Sequence, residues 1–288
     1  ISPHVSLYKV AGDNYSFLHS YMNGVGNINT TRPASSGYNK TMQTQADLIG
    51  NYTKSYGNHA FDAMLGFSYF RRYVFGLSAS GQGAATDLIP TLNASSTPVS
   101  VGGNESLFAM VGYFTRLNYN YAQKYLLSLT ARYDGASNLG TNYRWGFFPG
   151  VSLGWNVHKE DFFQVTKPYF STFKLRASYG VNGNISGLSD FHAQGSYSVG
   201  NRYLGESAVT NTVLANPNLK WEQSKTLDFG VDLGFMDNRF NILFDYYNRK
   251  TDDLITNLTL PPSTGFSSIS TNLGSLQNKG IEVELNAD

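Results

Sequence analysis

The chain has no cysteine among its 288 residues. That excludes a disulfide framework, a thiolate metal site and a cysteine nucleophile. Charge is scarce too. Asp, Glu, Lys and Arg make up 14% of the residues, against roughly 25% in ordinary soluble domains. The formal charge is +1, which gives no electrostatic footprint for nucleic acid, so no nucleic-acid partner is expected. No stretch approaches the roughly 20 apolar residues of a spanning helix; Phe108 to Phe114 is among the longest apolar runs. This excludes helical spanning only, because the strands of a membrane barrel alternate and score weakly in hydropathy. Helical periodicity is nearly absent, with one short turn expected within residues 159–170.

Catalytic and metal signatures are also missing. His4, His19, His59, His158 and His192 never lie two or four residues apart, so no metal site is expected. No phosphate loop or nucleophile elbow occurs. Ser171 to Lys174 formally reads S-x-x-K, but it falls in an expected strand and that chemistry needs a helix. Asp252 and Asp253 are a candidate cation site at a strand end, against the plainer reading of a solvated loop end. The N-x-[ST] triplets at Asn93 and Asn184 mark loop composition. No enzyme activity and no cofactor are expected.

Aromatics are plentiful at 15%, with 20 Tyr and 19 Phe, and there are 29 Gly. Apolar and polar residues alternate with period two over 41–56, 59–75, 106–121, 124–134, 146–158, 172–182, 219–235, 239–251 and 279–287, which predicts strands. Residues 1–40 hold one or two more. Tight links at 55–60, 121–125 and 235–240 contrast with long polar ones at 76–105, 183–218 and 252–278. Tight turns on one rim and long loops on the other suit an up-and-down antiparallel barrel.

Period two divides each strand into two faces. One face is apolar throughout: Leu127, Leu129 and Ala131 on one strand, Val151, Leu153 and Trp155 on the next, then Leu227, Phe229 and Val231. The opposite face carries Arg116, Arg132, Arg176, Asp228, Asp232 and Asp245, with small residues such as Gly154 and Gly230. A soluble sheet with one face on a core alternates in the same way, so a soluble β-sandwich binding module stays open here. Two features favour lipid. The strands reach the roughly 9–11 residues of a tilted crossing, and Tyr52, Tyr119, Tyr121, Tyr125, Tyr133, Tyr179 and Tyr246 sit at the ends of the apolar stripes, as an aromatic girdle does.

Several ordered stretches then narrow the choice. They are R-x-N-Y-x-Y from Arg116 to Tyr121, D-G-x-S from Asp134 to Ser137, R-W-G-x-F-P from Arg144 to Pro149, and G-W at Gly154. "FKLRASYGVNGN" (173–184), "NPNLKWEQS" (216–224), "FNILFDYYNRKTDDLI" (240–255) and "NLGSLQNKGIEVEL" (272–285) follow. From about residue 40 onward the chain resembles the SusC/RagA-like TonB-dependent outer-membrane receptors of the Bacteroidota. It departs at Asn138 and Leu139, where the family often has Arg and Phe. The resemblance implies an all-β fold: an antiparallel up-and-down transmembrane β-barrel segment of about nine or ten strands, out of about 22 in large plugged transporters. Residues 1–288 are then part of one barrel domain, with the plug and TonB box outside this stretch; Ile1 and the alternation still running at the last residues fit a piece of a longer chain. Asp134, Gly135, Arg144, Trp145 and Pro149 are the family's structural signature. Asp134 and Arg144 are candidates to pair across their hairpin, the alternative being two solvated charges.

The resemblance further implies TonB-dependent import of glycans or oligopeptides. The implied partners are outer-membrane lipid, a SusD-like surface lipoprotein, and TonB through parts of the chain beyond this stretch. Phe191, Tyr197, Tyr203 and Phe266, in expected outward loops, are candidates to grip substrate. A passive porin without a plug is the alternative.

Overall fold

The structure, a computed structural model, describes residues 1–166 and 169–287. Its strands in chain order are β1 (Ser2–Phe17), β2 (Tyr21–Met22), β3 (Ile28–Asn29), β4 (Ala34–Tyr56), β5 (His59–Gln82), β6 (Thr97–Tyr121), β7 (Tyr125–Ala136) and β8 (Trp145–Asn156). They continue with β9 (Phe170–Asn184), β10 (Ser196–Tyr203), β11 (Glu206–Val213), β12 (Glu222–Phe235), β13 (Phe240–Asp252), β14 (Ile255–Thr259), β15 (Ser268–Asn272) and β16 (Ser275–Ala287). Ten of them hydrogen-bond into one sheet in the order β1-β4-β5-β6-β7-β8-β9-β12-β13-β16. From β6 onward every neighbouring pair is antiparallel. This is the expected up-and-down order.

The chain packs as two compact units. One comprises Ile1–His4, Asp47–Tyr69 and Met110–Asp288, the other Val5–Ala46 and Phe70–Ala109.

In the first unit the two faces separate as expected. Leu129 stands between Leu117 and Val151, Leu153 between Leu127 and Ala177, and Tyr246 between Phe229 and Ile281. Apolar side chains therefore touch apolar neighbours within the sheet yet stay open outward: Leu153 is 54% exposed, Phe229 48% and Val283 59%. A sandwich would cover this stripe with a second sheet; among the described residues of the unit none does. Aromatic rings close the stripe at both ends. Tyr133 stacks on Trp145 at 4.8 Å and Tyr113 on Trp145 at 6.4 Å. At the other end Tyr121, Tyr125 and Trp155 stack in series at 6.3 Å spacings. Tyr125 and Tyr133 are eight residues apart on β7. At about 3.4 Å per residue and a tilt of roughly 40°, the girdles are separated by roughly 20 Å along the membrane normal, close to the apolar band of about 25 Å in outer-membrane barrels.

The buried core of this unit lies in the connections and is built from the signature stretches. Leu139 and Leu219 are fully buried, with Ala136, Phe148, Ala193 and Trp221 around them. Gly140 N–H donates to the Leu219 carbonyl (2.8 Å) and Asn142 N–H to that of Pro217 (3.3 Å). A Cβ at Gly140 would run into the Pro217 carbonyl and lie 2.8 Å from Leu219 N, so only glycine fits this approach. Trp221 donates its indole N–H to the Arg144 carbonyl (2.9 Å) and meets Phe148 edge-on at 5.2 Å. The expected strand start at 219 is thus corrected: β12 begins at Glu222 because Leu219 and Trp221 are spent on this core.

The signature residues follow from the same packing. Asp134 is taken by Arg132 in a two-pronged pair (3.0 and 2.9 Å), not by Arg144, and it is buried rather than solvated. The Trp145 ring lies over Gly135, where a Cβ would sit 2.8 Å from the indole. Pro149 is the fifth residue of β8. It pairs with Ala131 on one side, and pairing with β9 begins only at Gly150, so the missing N–H falls where no strand asks for it.

The long connections are not structureless. Residues 183–218 contain the hairpin β10–β11, and 252–278 contain β14–β15. Leu204 and Gly205, both at positive φ, make the two-residue turn of the first. Asp252 and Asp253 are engaged in ion pairs rather than left as a solvated end. Asp252 pairs with Lys225 and Lys250, and Asp253 with Lys220.

At the opposite rim the turns are held from outside. Ala122 and Gln123 take positive φ, a costly conformation for non-glycine residues. Ala122 N–H bonds the Asn58 carbonyl (2.6 Å) and Asn156 reaches the Gln123 carbonyl (2.6 Å). Short 3₁₀ turns at Val157–Lys159 and Asp161–Thr166 follow β8, where one helical turn is expected; Lys167 and Pro168 of that stretch lie outside the described residues. Glu160 ties the rim together. It accepts from Lys124 (2.9 Å) and from the Trp155 indole (3.1 Å). Hydrogen bonds from Tyr125, then Lys124 and Trp155, hold its carboxyl down at about 2.

In the second unit the stretch 76–105, expected as a loop, is mostly strand. β5 runs to Gln82 and β6 starts at Thr97. Small polar residues pair there, as in Ser80 with Ser100 at 2.6 Å, so no apolar face announces the strands. The remaining loop is anchored by Asp87, which accepts from Arg32 Nε (2.7 Å) and from Ser20 N–H and Oγ (2.8 and 2.5 Å). These bonds, Arg32 first, hold its carboxyl well below the usual carboxylate range.

Two outcomes are expected. Leu219→Ala should loosen the loop core by about 2–5 kcal/mol while leaving the sheet assembled. Limited proteolysis of the complete receptor should then cut within 185–221 much faster, with the heat-stable barrel band unchanged. Glu160, with its folded pKa below its ordinary 4.5, contributes stability that is complete above about pH 4.5 and lost as pH falls toward about 2. Glu160→Gln should flatten the unfolding temperature across that window and lower it at pH 7; equal pH slopes for both proteins would remove Glu160 from this role.

Candidate functional site

The polar face of the sheet collects its charge on β9, β12, β13 and β16. Each position follows from period two and register. Arg176 faces Gly230, and Gly230 faces Asp245. The glycine leaves room for the guanidinium to lie across β12. A Cβ there would come within 2.5 Å of Arg176 Cζ. Arg176 donates through Nε and Nη2 to Asp232 (2.9 and 2.7 Å) and through Nη2 to Asp245 (3.1 Å). One cation thus neutralises two carboxylates one strand apart.

Carboxylates still outnumber cations on this face. Asp228, Asp232, Asp245, Glu282 and Glu284 stand against Lys174, Arg176 and Arg249. Asp228 lies opposite Tyr247. Thr226, Asp228, Tyr247, Arg249, Asn278 and Glu282 line a polar depression of about 410 Å³. Sequence reasoning missed Tyr247, Arg249, Asn278 and Glu282 as a group, because only the strand register brings three separate strands level.

Of the sequence-predicted charges, the structure unites Arg176, Asp232 and Asp245, with Asp228 nearby on β12. Arg132 is elsewhere. It clasps Asp134 and lies over the Phe114 ring at 5.2 Å. Arg116 stands exposed opposite Thr130. The face offers hydrogen bonds and charge to a polar solute or a protein surface. Among the described residues no three His, Asp or Glu side chains are grouped to hold a metal ion.

The four loop aromatics do not converge. Tyr197 (66% exposed) and Tyr203 (72%) stand on β10, and Phe191 precedes the 3₁₀ turn at His192–Gln194. Phe266 is half-buried in a shallow hollow with Leu260 and Pro262. Among the described residues no ring contact joins them. They project from a connected base. His192 Nε2 lies 2.6 Å from Ser270 Oγ, which bonds Asn257, while Asn216 bonds the Ser270 carbonyl (2.8 Å) and Asn272 bonds the carbonyls of Lys220 and Asp253 (both 2.9 Å). Burial pushes the His192 imidazole down from its ordinary value, so it serves here as a neutral hydrogen-bonding group.

This geometry has close counterparts among known proteins. Residues 5–288 match the model of the TonB dependent receptor-like β-barrel family. TonB-dependent receptor P3 of Formosa agariphila is 37% identical over 255 residues, covering 87% of this chain and 25% of its own length. TonB-dependent receptor SusC of Bacteroides thetaiotaomicron is 33% identical over 282 residues, covering 95% of this chain and 27% of its own length. The chain therefore spans about a quarter of the curated relatives it matches. Among solved structures, that of the RagAB peptide transporter superposes with a TM-score of 0.78 over 99% of this chain and 31% of its own, at 22% identity, which shows a shared fold. The chain belongs to the TonB-dependent receptor β-barrel family of the outer membrane, and is similar in sequence to SusC and in fold to the RagAB transporter.

Proposed function

We propose that this chain supplies wall, inner surface and outer connections to a TonB-dependent outer-membrane importer of nutrient oligomers. The observation that carries the reading is the sheet itself: an open apolar stripe bounded by two aromatic girdles, backed by a face that gathers charge. In this reading residues 1–288 all belong to one transmembrane barrel domain, and plug and TonB contact come from elsewhere in the receptor. Arg116, Arg132, Arg176, Asp228, Asp232 and Asp245 line the interior. The turns at 121–125 and 235–240 face the periplasm, and the connections 185–221 and 253–274 face outward. Nothing here does covalent chemistry. Transport rests on binding, displacement and the energy that TonB delivers.

The partner is a SusD-like surface lipoprotein seated on the outer connections, and the substrate is a glycan or an oligopeptide. Two features support this. One relative is the TonB-dependent receptor SusC, and one solved neighbour is a peptide transporter. The exposed aromatics Phe191, Tyr197 and Tyr203 suit stacking on sugar rings or gripping peptide. Phe266, half-buried, contributes less.

Gentle-detergent purification of the complete receptor should bring down a stoichiometric lipoprotein, and deleting the tip of β10–β11 should weaken that association. A receptor that purifies alone and crosslinks to no lipoprotein in intact cells would remove the partner from this reading. The membrane assignment has its own test. Leu129→Arg should impair barrel assembly, since a lipid-facing Arg costs about 2–4 kcal/mol at midplane, and Thr130→Arg on the opposite face should be milder. Equal loss of heat-modifiable barrel in both variants would reverse the faces.

A further inference from the structure

The apolar stripe ends differently on different strands. On β8 and β9, Phe147 and Val181 continue it outward beyond Val151 and Tyr179. On β12, β13 and β16 the same face turns basic. Lys225 follows the period of Leu227 and Phe229, Lys250 that of Phe244 and Tyr246, and Lys279 that of Ile281 and Val283. Register brings the three level. Lys225 pairs directly with Lys250, and Lys279 with Asn248 beside them.

Like charges directly opposite across strands are destabilising unless something compensates. The compensation here is incomplete. Asp252 lies on the same face and is shared by both lysines, at 3.0 Å from Lys225 Nζ and 2.8 Å from Lys250 Nζ. Its neighbour Asp253 is engaged by Lys220 at 2.9 Å. Asn248 is held by Gln277 at 2.8 Å and adds no charge. Two ammonium groups thus share one carboxylate, and Lys279 adds a third positive charge beside them on the same face. The lysine heads stay accessible, with Lys225 40% and Lys250 51% exposed. Their stems rise from the last apolar positions, as snorkelling lysines do at a lipid boundary.

We propose that Lys225, Lys250 and Lys279 form a binding site for the phosphate of a phosphorylated glycolipid in the outer leaflet. Charge complementarity and continuity with the lipid-facing stripe select that occupant. The acyl chains lie along Leu227, Phe229 and Ile281, and the phosphate supplies the negative charge that Asp252 alone does not. This rests on the outer-membrane reading above, with the long connections outside.

The test uses the complete receptor purified in mild detergent, with monophosphoryl lipid A and its dephosphorylated form as probes, read by native mass spectrometry. Each basic residue at an anionic lipid surface strengthens binding about fivefold. The triple variant Lys225→Gln, Lys250→Gln, Lys279→Gln should therefore retain the phosphorylated probe at least about tenfold less well. Arg249→Gln, the loss of one charge on the opposite face, should retain it as the unaltered receptor does, and the dephosphorylated probe should bind all three weakly. Equal retention of both probes by the unaltered receptor, or no loss in the triple variant, overturns the site while leaving the barrel reading intact. If the triple variant sheds the surface lipoprotein and keeps the lipid, the patch docks protein and the proposal falls. A receptor that never reaches the outer membrane sinks the barrel reading itself, which the heat-modifiable band reports separately.

Discussion

A strand that crosses hydrocarbon can place a charge only on the face turned away from the lipid. Its backbone groups must also find partners within the sheet, since lipid offers none. Much of the first unit depends on these two demands together. They force strict alternation over long strands, and alternation works only if register holds, because a slip of one residue would turn every charge outward. Within the ten-stranded sheet the register from β6 to β16 is correspondingly continuous among the described residues, with one irregularity, between Gly234 and Phe235 at a strand end. Gly230 shows how the polar face meets the same demand. By giving up its side chain it lets Arg176 span β12 and satisfy Asp232 and Asp245 together.

The same constraint decides what the sequence could reveal. Where one face is uniformly apolar, period two is visible, and β7, β8, β9, β12 and β13 read almost to their ends. Where strands pass beyond that demand, the signal fades. Ser80 opposite Ser100, or Gly76 against Asn104, pair as strand without any apolar periodicity, so β5 and β6 looked shorter than they are. The hairpins β10–β11 and β14–β15 were hidden for the same reason. The signature stretches were legible as motifs but not as contacts. Nothing in the local pattern says that Gly140 meets Leu219, seventy-nine residues on, or that Asp134 takes Arg132 in preference to Arg144. The polar depression around Asp228 needed three strands set level, which only register supplies.

The two rims of the first unit solve different problems. At the short-turn rim the backbone is bent tightly through positive φ, and Glu160, Asn156 and Asn58 clamp it from neighbouring turns. That rim is built to stay closed. At the other rim the chain must leave the sheet for long excursions and return in register. The small core of Leu139, Phe148, Leu219 and Trp221 does this by gathering two connections onto one knot, to which hydrogen bonds through Ser270 and Asn272 tie a third. Gly140 permits the closest approach, and the indole of Trp221 fixes the return into β12.

That knot also separates what is held from what is free to vary. Inside it, side chains are buried and hydrogen bonds run between connections: Gln194 to Ser137, Asn216 to Ser270, Asn272 to Lys220. Substitution there disturbs several connections at once. Outside it, β10–β11 carries Tyr197, Val199, Tyr203 and Val209 with little burial. Such a hairpin can change its side chains without disturbing the sheet, which is how scaffolds keep a fold while altering what they recognise. The residues that identify the family are therefore those that anchor the connections, and the proposed importer places recognition of partner and substrate on the arms those anchors support. Packing constrains the anchors most and the arms least, and this is why the motifs name the family so clearly without naming its cargo.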